Sequence, residues 1–380
     1  MKFTDCIEIV GNRTVSFDGE KRYISTGAVD VNHINEDSVE IITYEDRPSR
    51  ADLSVSAGDV IFAKMAGTQK NMVIDEENED NIYSTGFFAV RGKAKIISTK
   101  CLYYLVNSDF FLKQKDKHSS GATQMAITNK GLDNIIVSVP CYSEQEKIVR
   151  QLDSVSLIIE ERKKELGLLD NLIKARFLEL FGDVIRNDND WDVKQFSEMT
   201  TSRLGKMLDA KQQTGTCTYP YLANFNVQWF GFKLDNLNTM DFDDKDRKEF
   251  CLEEGDLLVC EGGEIGRCAV WHKQVENCYF QKALHRVRCN QDVILPDYLA
   301  WWFKYNCEHN GFAAIEGTKA TISHLTGANL KTLKVVVPDI ENQYKFVEFL
   351  KQVDKSKVVV QRSLDETQLL FDSLMQKYFG

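Results

Sequence analysis

Residues 143–181 read SEQEKIVRQLDSVSLIIEERKKELGLLDNLIKARFLELF, with no proline and a single glycine, Gly167. Ile148, Leu152, Val155 and Ile159, then Leu166, Leu169, Ile173 and Leu180, recur in alternating steps of four and three, and Arg162 and Arg176 fall on the same line. A repeat near 3.5 residues predicts one long helix with a single apolar seam. At about 1.5 Å per residue it would extend roughly 55 Å, longer than a globular helix requires. A helix of that length is a rod or a partner surface.

The rod occurs twice. Advancing each seam position by 198 gives Phe346, Leu350, Val353, Lys357, Val360, Leu364, Thr367, Phe371, Leu374 and Tyr378, eight of the ten apolar or aromatic. Both copies end alike, at Phe181-Gly182 and Phe379-Gly380. The chain is therefore a tandem repeat of a large unit closed by a long helix. Each apolar seam must be covered, and the nearest cover is the other rod, laid antiparallel. The competing arrangement is a parallel homodimer. Arg162, Arg176, Lys357 and Thr367 on the seams are expected to set the register of the pair, as polar residues do in coiled coils.

The 380 residues predict two or three domains, each able to bury a core, and an apolar content of 43% excludes a disordered chain. No run approaches the ~18 apolar residues of a membrane span, and Asp5 and Glu8 interrupt any secretory pattern at the N-terminus. A cytoplasmic location is expected. The ten cysteines contain no C-x-x-C pair, so they read as buried small apolar residues rather than a zinc site. A net charge of −10 opposes nucleic-acid binding only if charge is uniform over the surface. It is not. Acid gathers at Asp75-Glu76-Glu77, at Glu79-Asp80 and from Asp241 to Asp246. Basic residues gather at Arg91, Lys93, Lys95 and Lys100, at Lys113, Lys115, Lys117 and His118, and at Arg267, Lys273, Lys282, His285, Arg286 and Arg288. Such segregation permits a basic groove, and equally an ordinary solvated surface.

Residues 1–142 read as a mixed α/β domain. Strands are expected at Lys21–Ile24, Val39–Thr43, Val60–Ala63, Gly86–Val90 and Asn134–Val139, and a helix at Cys101–Lys115. Gly58-Asp59 is a turn before Val60, and Ser143 with Glu146 forms a capping box opening the rod at 143–182. After the polar linker Asp183–Asp190, residues 183–340 repeat the plan. Tyr221-Leu222-Ala223 echoes Tyr23-Ile24-Ser25, Gly255-Asp256 echoes Gly58-Asp59, Leu299–Phe303 falls where Cys101–Val106 does, and Val335–Pro338 mirrors Val137–Pro140. The second rod is expected over 341–380. The fold class is thus α+β, two mixed α/β domains in pseudo-twofold tandem repeat joined by two long antiparallel coiled-coil helices. The frame repeats while its content differs, as expected of two modules that read different targets.

Catalytic signatures are missing. Gly205-Lys206 is followed by Met207, so there is no phosphate-binding P-loop. Five prolines with no Pro-Pro pair exclude the Asn/Asp-Pro-Pro-Tyr/Phe motif of amino-methyltransferases. Pro296-Asp297 and Pro338-Asp339 lack a following Glu-x-Lys, and the six histidines form no triad or metal spacing. Gly262–Gly266 resembles a weak phosphate loop but reads better as a turn. The chain reads as a binder.

Before each rod lies a Gly with Thr, a polar turn, a strand ending in Pro, and a helix opening around Glu-Gln. The elements are Gly121, Thr123, Gln124, Pro140, Glu144 and Gln145, then Gly317, Thr318, Pro338, Asn342 and Gln343. The order resembles the specificity subunit of type I restriction-modification systems, over the whole chain. The second copy departs from the Gly-x-Thr-Gln and Glu-Gln forms. The resemblance implies that each domain is a target recognition domain reading half of a split double-stranded DNA sequence. It implies that the rods act as a ruler and dock two methyltransferase subunits, and that the complex adds a restriction and translocase subunit. It implies adenine N6 methylation with S-adenosylmethionine bound by the partner, and ATP and Mg2+ used by partner subunits, with no cofactor or metal on this chain. The alternative is a coiled-coil scaffold without sequence-specific DNA binding.

A rod of roughly 55 Å spans about sixteen base pairs at about 3.4 Å each, so domains at its ends reach half-sites on one duplex face with an unread spacer. Base edges would be read by side chains on loops, with lysines and arginines positioning the backbone. Candidates in the first domain are Ser25 and Thr26, then Lys64, Gln69, Lys70 and Asn71 in the loop after the Gly-Asp strand, Arg91, and Thr123 and Gln124 in the Gly-Thr turn. In the second they are Asn224, Asn226 and Gln228, Arg267 and Lys282, and Thr318 and Lys319. Gln69 and Asn71 suit adenine, and Arg267 suits guanine or a phosphate. For Asn and Gln the bland role is turn chemistry, for Arg a surface ion pair. Lengthening the first rod by one heptad is expected to change the preferred spacer.

Overall fold

A computed structural model describes residues 1–208, 213–312 and 324–380. The chain divides into two compact units: residues 1–165 with 360–380, and residues 166–359. Each contains one α/β module and its share of both rods.

In the first unit, Val60–Ala63 is buried along its whole length, as a run without polar alternation requires. It lies third in an antiparallel sheet ordered Ile7–Val10, Phe87–Gly92, Val60–Ala63, Asn71–Val73. A second sheet is ordered Glu40–Ile42, Lys21–Ile24, Ile82–Ser84, Ala51–Leu53, with the central pair parallel. Gly58 turns the chain at φ +86°, a backbone that a side chain would strain. The Asp59 carboxylate accepts from Ser56 N at 2.9 Å and from Arg91 Nε at 2.8 Å. The expected helix Cys101–Lys115 is two helices, Thr99–Asn107 and Asp109–Lys117. Ser108 breaks it: its hydroxyl donates to Leu105 O at 2.7 Å and accepts from Phe111 N at 3.2 Å, capping both ends. Nor is Asn134–Val139 a strand. Its backbone makes an isolated bridge to the first residues of the chain, through Phe3 N to Ile135 O and Val137 N to Met1 O, and Ile136 N and O pair with the Gln114 side-chain amide.

The second unit repeats the scaffold with other residues. Its antiparallel sheet runs Thr200–Leu204, Leu284–Cys289, Leu257–Cys260, Cys268–Val270, and again the strand after the Gly-Asp turn is buried throughout. The smaller sheet runs Asn238–Asp241, Thr218–Leu222, Tyr279–Phe280, again with one parallel pair. Gly255 has φ +84°, and Asp256 accepts from Glu253 N at 2.8 Å and Arg288 Nε at 2.7 Å. Here the helix is unbroken, Pro296–Glu308 with proline at its first turn. Lys334–Val337 is a true strand, paired with Asp192–Gln195.

The first rod is one helix, Tyr142–Phe181, and the second is one helix, Ile340–Phe379. The expected capping box is absent: Ser143 sits inside the first turn, and Glu144 N donates to Cys141 O. Within the first unit Ile148, Val149 and Leu152 share a core with Phe371, Met375 and Phe379, and Tyr378 Oη donates to Gln151 Oε1 at 2.8 Å. Within the second, Phe181 packs on Phe346 with ring centroids 5.4 Å apart, and Lys357 Nζ lies 2.5 Å from Asp170 Oδ1. Rising numbers on one rod meet falling numbers on the other in both units, so the rods pair antiparallel inside the chain. Each buried Phe contributes about 1.5–3 kcal/mol by leaving water. Of the polar seam residues Lys357 forms an ion pair across the rods, and the Arg176 guanidinium lies over the Phe349 ring of the second rod, 5.8 Å from its centroid. Arg162 and Arg176 pair with Glu165 and Glu179 three residues along their own helix, and Thr367 Oγ1 donates to Ser363 O. Both rods end as expected, with buried Phe181 and Phe379, and Gly182 at φ +70°.

Among the described residues no helix is long and apolar enough to cross a membrane, and no group of three or more His, Cys, Asp and Glu is placed to hold a metal ion. The ten cysteines divide by burial. Five are buried and four half-buried, as expected of small apolar residues, whereas Cys141 is exposed. Burial pushes the Cys101 and Cys278 thiols up to about 12.

Candidate nucleic-acid interface

In the first module the chain leaves the buried strand at Ala63 and enters the loop Lys64–Lys70. Three backbone bonds hold it: Lys64 N to Gly86 O at 2.8 Å, Ile127 N to Lys64 O at 2.9 Å and Ala66 N to Met125 O at 2.9 Å. Gly86 has no room for a side chain, since a Cβ there would stand 2.8 Å from Thr26 Cγ2. The turns at Ser25-Thr26, Lys64–Lys70 and Thr123-Gln124 are therefore brought together. Thr123 and Gln124 are exposed, and Gln124 Nε2 lies 2.7 Å from Met65 Sδ. Gln69 is exposed with its amide on Asn107 Oδ1 at 3.1 Å. Lys70 reaches Asp30 at 3.9 Å. Lys64 lies over the Phe88 ring and donates to Thr85 O at 2.8 Å, and its half-burial lowers the ammonium pKa.

Two candidates of this module stand apart from the cluster. Asn71 is 1% exposed and donates to Asn107 Oδ1 at 2.6 Å, so it builds the sheet edge instead of reading a base. Arg91 stands at the Asp59 end of the strand pair, away from the loop, and neutralises a carboxylate that burial would otherwise leave unpaired.

The second module rebuilds the same cluster. Glu261 N donates to Ala283 O at 2.9 Å and Leu325 N to Glu261 O at 2.7 Å, the counterparts of the Lys64 bonds 197 to 198 residues earlier. Asn224 donates to Gly262 O at 3.0 Å, and Arg267 donates to Asn224 Oδ1 at 2.8 Å. Arg267 is thus half-buried and clamps the turn. Lys282 is exposed beside Ala283. Gln228 bonds the carbonyls of Phe225 and Val227. Asn226 is fully buried, accepting from Ala223 N and donating to Lys233 O, so it is a turn residue and not a reader. Thr318 and Lys319, with Gly317, lie outside the described residues.

The sequence reading missed what holds these loops. Lys115, grouped there with a surface basic run, is 2% exposed and donates to the carbonyls of Ala63, Met65 and Thr68. Its spacing of four from buried Phe111 on the same helix was the available signal. Phe225, within the candidate segment Asn224–Trp229, is 55% exposed between the anchored Asn224 and Asn226.

Known proteins place this architecture. The family model of the type I restriction modification DNA specificity domain matches residues 1–167 and again residues 188–365. The chain belongs to that family. A specificity subunit of a type I restriction enzyme from Haemophilus influenzae is 24% identical over 295 residues, spanning 76% of this chain and 72% of the relative. The EcoKI specificity subunit of Escherichia coli is 20% identical over 348 residues, 86% of this chain and 75% of that one. Two solved structures share the fold. One, from work on complex assembly and conformational transition of a type I restriction-modification system, superposes with a TM-score of 0.57 at 18% identity, covering 98% of this chain and 97% of the other. The other, the S subunit from M. genitalium, has a TM-score of 0.57 at 11% identity and covers 100% and 95%. The family assignment joins the repeat, the rods and the loop clusters in one specificity protein with two DNA specificity domains.

Proposed function

We propose that each module reads one half of a bipartite double-stranded DNA target and that the paired rods set the unread spacer. The observation that carries this is the doubled loop cluster: one backbone scaffold, repeated after 197 to 198 residues, presenting Lys64, Gln69, Thr123 and Gln124 in one module and Asn224, Arg267 and Lys282 in the other. Equal frames with unequal side chains suit two half-sites of different sequence. Of the original candidates, Ser25, Thr26, Lys70 and Gln228 stand beside these, and Thr318 and Lys319 belong to the same proposal by sequence alone.

The chain itself is the non-catalytic subunit. In this reading two methyltransferase subunits dock on the rods, and restriction subunits complete the complex in the cytoplasm. Adenine N6 methylation with S-adenosylmethionine, and the use of ATP and Mg2+, belong to those partners. Exposed apolar residues on the rods support docking: Leu157, Ile158, Leu369 and Leu370 in one unit, Leu168, Leu172, Val358 and Val359 in the other. The net charge of −10 implies weak binding to DNA by the chain alone.

The test is adenine methylation sequencing in a host carrying the chain with its methyltransferase. A two-part motif with a spacer indifferent to sequence is expected. One heptad inserted into each rod should lengthen that spacer. An unchanged spacer rejects the ruler, and methylation without sequence preference rejects readout.

A further inference from the structure

The three N–H bonds of the Lys115 ammonium end on the last carbonyl of the strand and two of the loop it feeds: Ala63 O at 3.3 Å, Met65 O at 3.0 Å and Thr68 O at 2.6 Å. An ammonium has three donors, so these contacts use it completely. The side chain is 2% exposed. Burying a charge without a carboxylate partner is unfavourable unless its donors are all satisfied, and here these three carbonyls satisfy them. The three carbonyls converge on one point, which bends Met65–Thr68 around the ammonium. The next residue of the same helix completes the hold, Asp116 Oδ1 accepting from Gly67 N at 2.9 Å. One helical turn thus grips the loop through both its acceptors and a donor.

The second module holds its loop otherwise. The residue 197 positions after Lys115 is Phe312, buried, and a Cβ on Gly266 would stand 3.2 Å from its ring and 2.9 Å from that of Phe303. There apolar packing and the Arg267–Asn224 clamp replace the ammonium. The two loops share a backbone frame yet depend on different chemistry.

We infer that Lys115 is the positioning residue of the first reading loop, fixing through Ala63, Met65 and Thr68 the geometry with which that module selects its half-site. Lys115 touches no DNA in this role. It acts through the loop, whose Gln69 and neighbouring backbone must stay within about 0.5 Å of a productive geometry for discrimination. The inference rests on the proposed reading of half-sites by the modules.

The test uses the full chain with its methyltransferase partner, as wild type, Lys115→Met and Asp116→Ser, on duplexes carrying single-base changes in one half-site or the other. The thermal midpoint of each variant is measured alongside. Lys115→Met should lower discrimination at least tenfold at the half-site read by the first module and leave the other unchanged. Asp116→Ser, at a half-buried position, should shift the same half-site less, and it decides the matter if Lys115→Met does not fold. The ratio between half-sites is the readout that general destabilisation would not move. Folded variants that discriminate as wild type does, or that lose both half-sites equally, overturn the role of Lys115. A wild-type complex that discriminates at neither half-site overturns the proposed reading itself, and this inference with it.

Discussion

Gln343 closes the corner between strand and rod by donating to Pro338 O at 2.8 Å, and the same amide donates to Val293 O at 3.1 Å while Oε1 accepts from Leu295 N at 2.9 Å. Gln145 does the same work in the first module, donating to Pro140 O at 3.0 Å and Ile96 O at 2.7 Å and accepting from Ser98 N at 2.9 Å. Both glutamines are buried. The Glu144 before Gln145 is exposed, so Asn342 can stand in its place before Gln343. Replacing either glutamine by leucine leaves two carbonyls and one N–H unpaired. A loss of about 2–4 kcal/mol is expected for each variant, read from urea denaturation. A loss below about 1 kcal/mol would show that water takes over these bonds.

Arg91 and Arg288 predict a loss of stability, not of specificity. Each neutralises the aspartate of a Gly-Asp turn, and the Asp59 and Asp256 side chains are 2% exposed. Arg91→Ala should cost about 2–3 kcal/mol, softened because Asp59 keeps its bond from Ser56 N. The Asp59→Ala, Arg91→Ala double variant should recover part of that loss. A change in half-site preference at unchanged stability would instead return Arg91 to the DNA surface.

Lys357 and Asp170 form the cross-rod ion pair of the second unit, and it is partly solvated. Lys357→Glu should destabilise by about 0.2–1 kcal/mol, and adding Asp170→Lys should restore most of it. Thr367→Val, whose hydroxyl bonds only its own helix, should leave the methylated spacer unchanged.

Asp241 is held by the Thr214 hydroxyl first, then by the Thr214 and Gly215 N–H groups and the Thr218 hydroxyl, which keep its carboxyl down at about 2. A folded pKa below the ordinary 3.8 means the folded state holds the proton less tightly than the unfolded chain. The stabilisation is present above about pH 4 and is lost as pH falls toward about 2. Asp241→Asn should flatten the acid limb of a stability profile over that window. An unaltered acid limb would show that the hydrogen-bond cradle does not discriminate between charge states.

The heptad seam, its repeat at 198 residues and the Gly-Asp strands were legible because they rest on local periodicity and backbone sterics, which side-chain type alone controls. Those features pointed to the tandem architecture and favoured an internal pair of rods over a parallel homodimer, and the structure pairs them within the chain. The sequence could not separate readers from turn residues, because Asn71 and Asn226 look like any polar loop residue until their burial is known. It also set Lys115 among surface lysines, although a helix of nine residues buries one of its faces whatever the charge upon it. Ser108 shows the same limit from another side, since a serine within an apolar pattern breaks a helix only where its hydroxyl finds partners at both ends. Composition and spacing fix which elements exist and how often they recur. Tertiary structure decided which polar groups satisfy the fold and which remain exposed, because that division depends on burial and on partners far away in the chain.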